Sequence, residues 1–261
     1  MKTFIIIIIF FISCILYSNE LENKTYYGEF CQITFKNKTM IYSGTDLDTG
    51  KDYNYEYTYE IKTESKLTFI FINNQKILVL YSDDFLFLYC ENNDKCFLKY
   101  FNSFFGISKG GPGIRINGYY STYEIKSSSS LKEGDIYYSP ENLISCDPDK
   151  CWVEGAEGYG IGETITLKYF RANFLVFSNG YVSVKKPYLY EDNSRVRKIM
   201  ITDLKNKKSI TVNIMDTPNL QRIKLPDNFG NEIEIKILDI YPGRKYKDTC
   251  INFIILDENT D

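Results

Sequence analysis

Apolar and polar residues alternate along most of this chain with a period of two, the signature of strands that bury one face. Cys31, Ile33 and Phe35 alternate with Gln32, Thr34 and Lys36, and Tyr53, Tyr55, Tyr57 and Tyr59 alternate with Asn54, Glu56, Thr58 and Glu60. Lys66 to Ile72, Lys76 to Tyr81, Phe85 to Cys90 and Lys95 to Phe101 read as further strands. Asn73-Asn74 and Asp83-Asp84 stand where tight turns belong. The pattern over residues 19–105 predicts a small antiparallel meander, barrel-like because closure protects its edges. Helical periodicity is nearly absent, so the chain reads as all-β.

The alternation breaks at a stretch rich in glycine, from Gly106 through Gly110, Gly111, Pro112 and Gly113 to Gly118. Residues 106–117 read as a linker. A phosphate-cradling loop does not fit, because no Lys-Ser or Lys-Thr follows the glycines. Alternation then resumes in Thr164 to Tyr169, Ser209 to Ile214, Glu232 to Ile237 and Ile251 to Ile255, with a continuous apolar run at Phe174 to Phe177. Turns between these runs predict a β-sandwich over residues 118–258.

The N-terminus opens with Lys2 and an apolar run from Phe4 to Leu16, too short for a comfortable membrane span. Residues 1–18 therefore read as a signal peptide. Two processing outcomes fit: cleavage after Ser18, or lipidation at Cys14 within the lipobox-like Phe11-Ile12-Ser13-Cys14. Either way the expectation is export, to the medium, periplasm or cell surface, with no membrane span after processing. Seven cysteines suit an oxidising compartment. Local spacing favours Cys146 with Cys151 and Cys90 with Cys96, leaving Cys31 and Cys250 as thiols.

Composition narrows the chemistry. The chain has no histidine, so histidine-based nucleophile pairs are impossible and the commonest general base and metal ligand are missing. No metal or cofactor is expected. A net charge of −3 and the lack of a dense Lys/Arg cluster argue against nucleic acid as a partner.

Recognition-type residues concentrate in the second half. They run from Ser127-Ser128-Ser129-Ser130 through Asn142-Leu143, Cys151-Trp152-Val153-Glu154-Gly155 and Gly160-Ile161-Gly162-Glu163. Asn179-Gly180-Tyr181, Asn193-Ser194-Arg195 and Tyr241-Pro242-Gly243 with Lys245-Tyr246 and Asp248-Thr249 complete the series. In order and spacing this series resembles the discoidin-like (coagulation factor type C, galactose-binding-like) superfamily. Within it, the series is similar to the glycan-binding translocation domain of secreted streptococcal NAD glycohydrolase. The resemblance covers about residues 119–257. It implies a β-sandwich with ligand loops at one end, Ser127–Ser130 in its first strand, and no catalytic residues of its own. Related loops carry Asp where Ser145 stands, which argues against a calcium site there despite Asp147 and Asp149 nearby.

The candidate ligand residues are Arg195, Asn193, Glu154, Glu157, Tyr181, Asn179 and Trp152. Arg195 offers a planar fork of donors, or else pairs with a carboxylate such as Asp239 or Asp248. Trp152 fits a sugar-stacking plate or a core anchor, and its Cys and Val neighbours favour the core. Asn179 fits a contact or a turn with Gly180, and Glu154 and Glu157 fit hydroxyl acceptors or a solvated loop. Tyr246 and Asp248 read as locking the last turn, Asp248 by capping backbone N–H groups. The expected function is an exported, non-catalytic carbohydrate-binding protein with an extracellular glycan as partner. Two alternatives stand: an envelope scaffold with a protein partner, and a glycosidase built on the carboxylates between Asp147 and Glu163.

Overall fold

The computed structural model describes residues 21–28, 31–46, 48–83, 85–90, 103–106, 122–169 and 171–257. The signal-peptide reading, the Lys95 to Phe101 strand, Cys96 and nearly all of the linker reading lie outside them.

Nine strands of the first half form one antiparallel sheet among the described residues: β1 (Thr25–Tyr27), β2 (Cys31–Lys36), β3 (Thr39–Asp46), β4 (Lys51–Thr58), β5 (Glu60–Glu64), β6 (Leu67–Ile72), β7 (Gln75–Tyr81), β8 (Phe85–Cys90) and β9 (Ser103–Gly106). Their order is β4-β3-β2-β1-β9-β8-β7-β6-β5. The two edge strands follow each other directly in the chain, bending at Tyr59. The sheet thus curls so that Phe35, Met40 and Tyr42 of one flank share a core with Ile70, Val79 and Leu86 of the other. Asn73 and Asn74 both take positive φ, which supplies the tight β6–β7 turn.

The second half is a sandwich. One layer pairs β10 (Thr122–Ser127), β14 (Thr164–Tyr169), β19 (Glu232–Tyr241), β16 (Ser194–Asp203) and β17 (Ser209–Asn213). The other pairs β13 (Trp152–Val153), β20 (Thr249–Asp257), β15 (Phe174–Asn179) and β18 (Gln221–Lys224). The layers join where β16 and β20 run briefly parallel, Ser194 beside Thr249 and Arg195 beside Cys250. A small hairpin, β11 (Lys132–Glu133) and β12 (Ile136–Tyr137), a 3-10 turn (Pro140–Ile144) and a short helix, α1 (Leu189–Asp192), belong to the loops. Between the layers, Ile165, Leu167, Ile199, Ile201, Ile233 and Ile235 meet Leu175, Phe177, Ile251 and Ile254. The serine run Ser128–Ser130 lies just beyond β10 and not within a strand, a correction to the sequence expectation.

Strands β15 and β20 are buried along their whole length, on both faces. Their outer face carries Val176, Phe253 and Ile255, which pack against Phe69, Leu78, Leu80 and Phe87 from the outer face of β6–β8. Phe87 and Phe253 meet edge to face at 5.7 Å. Burial on both sides matches the nearly continuous apolar make-up of β6, β7, β8 and β15, where β2, β14 and β19 alternate, and it corrects the reading of β20 as an alternating strand, since all of β20 is buried.

A polar cluster borders this interface. Asp216 accepts from Arg195 Nε and Nη2, both at 3.0 Å, from Lys66 Nζ at 2.7 Å and from the Tyr190 hydroxyl at 3.3 Å. Burial works to raise the Asp216 carboxyl, but the bonds from Arg195 and Lys66 outweigh it and hold the group below the usual carboxylate range.

The cysteine expectation needs correction. Cys146 and Cys151 are free thiols that face different surroundings. Cys146 packs into the interface with Phe87 and Val176, whereas Cys151 packs with Val153 and Cys250. Four residues of loop separate them, and their side chains are drawn to separate clusters. Cys90 also carries a thiol.

Two outcomes follow from this packing. Phe253→Ala leaves a hole between the sheets and is expected to cost about 3–4 kcal/mol in chemical denaturation. Both halves should still unfold in one transition, and two well-separated transitions would contradict the shared core. For Asp216, a depressed folded pKa means its contribution is complete above about pH 4, the ordinary Asp value, and is lost as pH falls through the folded value. Asp216→Asn should therefore flatten the acid limb of the stability–pH curve below about pH 4. An unchanged limb would show that the cluster contributes nothing.

Candidate functional site

A cavity of about 270 Å³ opens at one end of the sandwich, where segments distant in sequence converge. The β11–β12 hairpin and its flanks contribute Leu131, Glu133, Ile136 and Tyr138. The loop from β15 to β16 contributes Tyr181, Lys186, Leu189 and Asn193, the loop before β20 contributes Tyr246 and Asp248, and β13 supplies Val153. The convergence is enforced locally. Leu131 N–H donates to the Val153 carbonyl at 2.9 Å, and Tyr138 N–H to the Leu131 carbonyl at 3.0 Å. Arg244 and Lys245 N–H groups donate to the carbonyls of Glu191 and Asp192, tying the last loop to helix α1.

Aromatic rings dominate one wall. Tyr138 and Tyr181 meet edge to face at 6.2 Å. Burial raises both phenols, with Glu133 adding to the effect at Tyr138 and Cys151 at Tyr181. The Tyr138 hydroxyl donates to Glu133 Oε2 at 3.4 Å. Asn193 Nδ2 donates to the Leu189 carbonyl at 2.9 Å, a bond that fixes the amide at the cavity edge. Ile136, which lines the cavity, is more than half exposed, as are Tyr137 and Tyr188, each next in the chain to a lining residue.

Of the seven residues singled out from sequence, the structure brings Asn193 and Tyr181 to this cavity. The others serve the frame or the surface. Trp152 is fully buried in the sandwich core, and its Nε1 donates to the Ser129 carbonyl and to Ser130 Oγ, both at 3.1 Å. A sugar-stacking role is therefore out of its reach. Asn179 is fully buried at the end of β15, where it accepts from Val196 N–H at 3.0 Å and donates to the Val196 carbonyl at 2.8 Å. It is no hairpin turn. Gly180 takes φ +80°, and a Cβ there would stand 2.7 Å from the Tyr190 ring and 2.8 Å from Arg195 Cγ.

Arg195 is buried, and its partner is Asp216, not Asp239 or Asp248. Its Nη1 also donates to the carbonyls of Asn193 at 2.9 Å and Pro242 at 3.3 Å. The guanidinium thus holds two of the cavity-forming loops and is already occupied. Glu154 is buried as well, accepting from Ala156 N–H at 2.7 Å and Thr249 N–H at 3.4 Å. Burial raises its carboxyl, opposed by those bonds and reinforced by the charges of Asp248 and Glu163. Glu157 is exposed on the surface.

Sequence reading gave Tyr246 and Asp248 a turn-locking role, whereas both side chains line the cavity. The backbone carbonyl of Asp248 accepts from Ser194 N–H at 3.0 Å, and among the described residues no hydrogen bond reaches its carboxylate. Glu133, Ile136, Lys186 and Leu189 had no signal in sequence beyond being loop residues. Asp147 and Asp149 are structural: Asp147 accepts the Tyr89 hydroxyl across the interface, and Asp149 accepts from Ser183 Oγ and Val184 N–H. Among the described residues, no group of three or more His, Cys, Asp or Glu side chains is placed to hold a metal ion.

Among curated proteins, none matches the chain. Solved structures similar to it include CpGH89CBM32-5 from Clostridium perfringens in complex with GalNAc-β-1,3-galactose, at 12% identity and TM-score 0.39 over 51% of this chain and 94% of that one. A pectin-binding carbohydrate-binding module is similar at 10% identity and TM-score 0.39, over 54% and 94%. GH31 CBM32-2 bound to GalNAc is similar at 15% identity and TM-score 0.35, over 52% and 98%. Residues 118–257, just over half of the 261-residue chain, match the family model described as the NAD glycohydrolase translocation F5/8 type C domain, and the chain belongs to that family.

Proposed function

We propose that the protein is an exported, non-catalytic glycan-binding protein whose ligand enters the cavity at the loop end of the sandwich. The observation that carries this reading is the cavity's make-up: tyrosines and aliphatic side chains form its walls, with a few polar groups converging on one space. Sugars present apolar C–H faces ringed by hydroxyls, and small-ligand sites pair apolar walls with a few placed polar groups. The family match supports the same reading, as do the carbohydrate ligands named for the similar modules. Export rests on the Lys2 and Phe4–Leu16 pattern, with cleavage after Ser18 and a lipid anchor at Cys14 as its two forms.

Hydrolysis is the weaker use of this site. The cavity does carry two carboxylates, Glu133 and Asp248. A glycosidase acid needs a carboxyl raised by burial. Glu154 is the carboxyl so raised, and it does not line the cavity but is bonded to backbone N–H groups. A protein partner is the second reading, favoured by exposed Ile136 in the cavity lining and by exposed Tyr137 and Tyr188, each next in the chain to a lining residue.

A glycan array probed with the full chain is the direct test. Saturable binding is expected, with Tyr181→Ala and Asn193→Ala each weakening it by about tenfold or more and the bound glycans recovered intact. Arg195→Ala should act differently: it leaves Asp216 with Lys66 and the Tyr190 hydroxyl only and lowers stability by about 3 kcal/mol, seen in denaturation before any selective loss of affinity. No binding across the array would move the assignment to a protein partner.

A further inference from the structure

We infer that the cavity selects a single uncharged, hydroxyl-rich terminal sugar and rejects acidic ones, with Asp248 as the residue that sets this choice. The inference rests on the cavity being a glycan site and goes beyond it to the class of glycan.

Size limits the ligand first. At about 270 Å³ the cavity lies at the small end for ligand sites, so it suits one sugar ring and not the interior of a polysaccharide. The polar groups then limit its chemistry. Glu133 and Asp248 are carboxylates, which only accept hydrogen bonds when ionised. Asn193 has committed one of its two amide N–H groups to the Leu189 carbonyl, which leaves its Oδ1 and the second N–H to offer a ligand. The Tyr138 hydroxyl is directed at Glu133, and the Tyr181 hydroxyl interacts with Tyr138. Among the described residues, Lys186 is the one cation lining the cavity, and it is exposed.

The wall is therefore rich in acceptors, and a ligand must bring donors. Sugar hydroxyls do so. A carboxylate, sulfate or phosphate brings none and also meets two like charges. Asp248 is the better placed of the two cavity carboxylates. It is half-buried, where Glu133 is exposed, and no hydrogen bond from the described residues competes for it. A uronic acid differs from its hexose only in carrying a carboxylate where the hexose has a hydroxymethyl group, so the pair isolates charge from shape.

The test uses the full chain against immobilised glycans ending in galactose or N-acetylgalactosamine, each set beside glycans ending in galacturonic acid or sialic acid. Neutral termini are expected to bind at least about tenfold more tightly than acidic ones. Asp248→Ala should weaken neutral binding by about tenfold or more, and Asp248→Asn, which keeps the shape and removes the charge, should narrow the neutral-to-acidic ratio. Near-UV circular dichroism would establish that both variants fold. Tighter binding of acidic termini, or an unchanged ratio in Asp248→Asn, overturns the inference. If Tyr181→Ala abolishes binding while the Asp248 variants leave it intact, the glycan reading stands and this inference fails. If no glycan binds the parent chain, both fail.

Discussion

Strands β15 and β20 have no side that faces water, and much of the architecture is a way of covering them. Their inner residues close the sandwich core, and their outer residues meet the curled N-terminal sheet. Each fully buried Phe, Ile or Val at such a contact contributes about 1.5–3 kcal/mol relative to exposure. The N-terminal sheet is thereby more than an appendage. Its strands β6–β8 are sandwiched in turn between their own curled core and the second sandwich layer. Three apolar layers share their walls, so each half completes the other.

The same interface organises the loop end. Asp216 sits where Lys66 from the first half meets Arg195 and Tyr190 from the second. Arg195 passes this anchoring on, because its remaining donors bond backbone carbonyls on either side of the cavity. A buried arginine whose bonds are all internal cannot also serve a ligand without leaving Asp216 short of a partner. The cavity is therefore built by residues that do not enter it, and a small set of side chains is left to face the space.

The candidate site divides along the same line. Trp152, Asn179, Glu154 and Arg195 attracted attention because they are chemically capable and set among glycines and cysteines. Their capability is spent on structure: the indole N–H on the serine loop, the Asn179 amide on β16, the Glu154 carboxylate on the loop after β13. Gly160 shows how tight this is, since a Cβ there would stand 2.4 Å from Glu154 Cγ. The residues that face the cavity include plain loop positions such as Leu131, Lys186 and Leu189, which nothing in their sequence surroundings sets apart.

The sequence by itself determined the β class of the chain and many of its strands, because alternation is a local property that a strand carries along its own length, while strands such as Thr39–Asp46, Ser194–Asp203 and Gln221–Lys224 were not read from it. It also carried the family, through the order of short segments from Asn142-Leu143 to Asp248-Thr249. Only the tertiary structure decided which side chains are free to act. The partner of Arg195 lies 21 residues away, the two thiols expected to bond face separate clusters, and the cavity draws on loops spread from Leu131 to Asp248. These are long-range contacts, fixed by how the sheets stack, and no spacing along the chain encodes them. Reading β20 as an alternating strand missed its second buried face, because the sheet that covers that face comes from the other half of the chain.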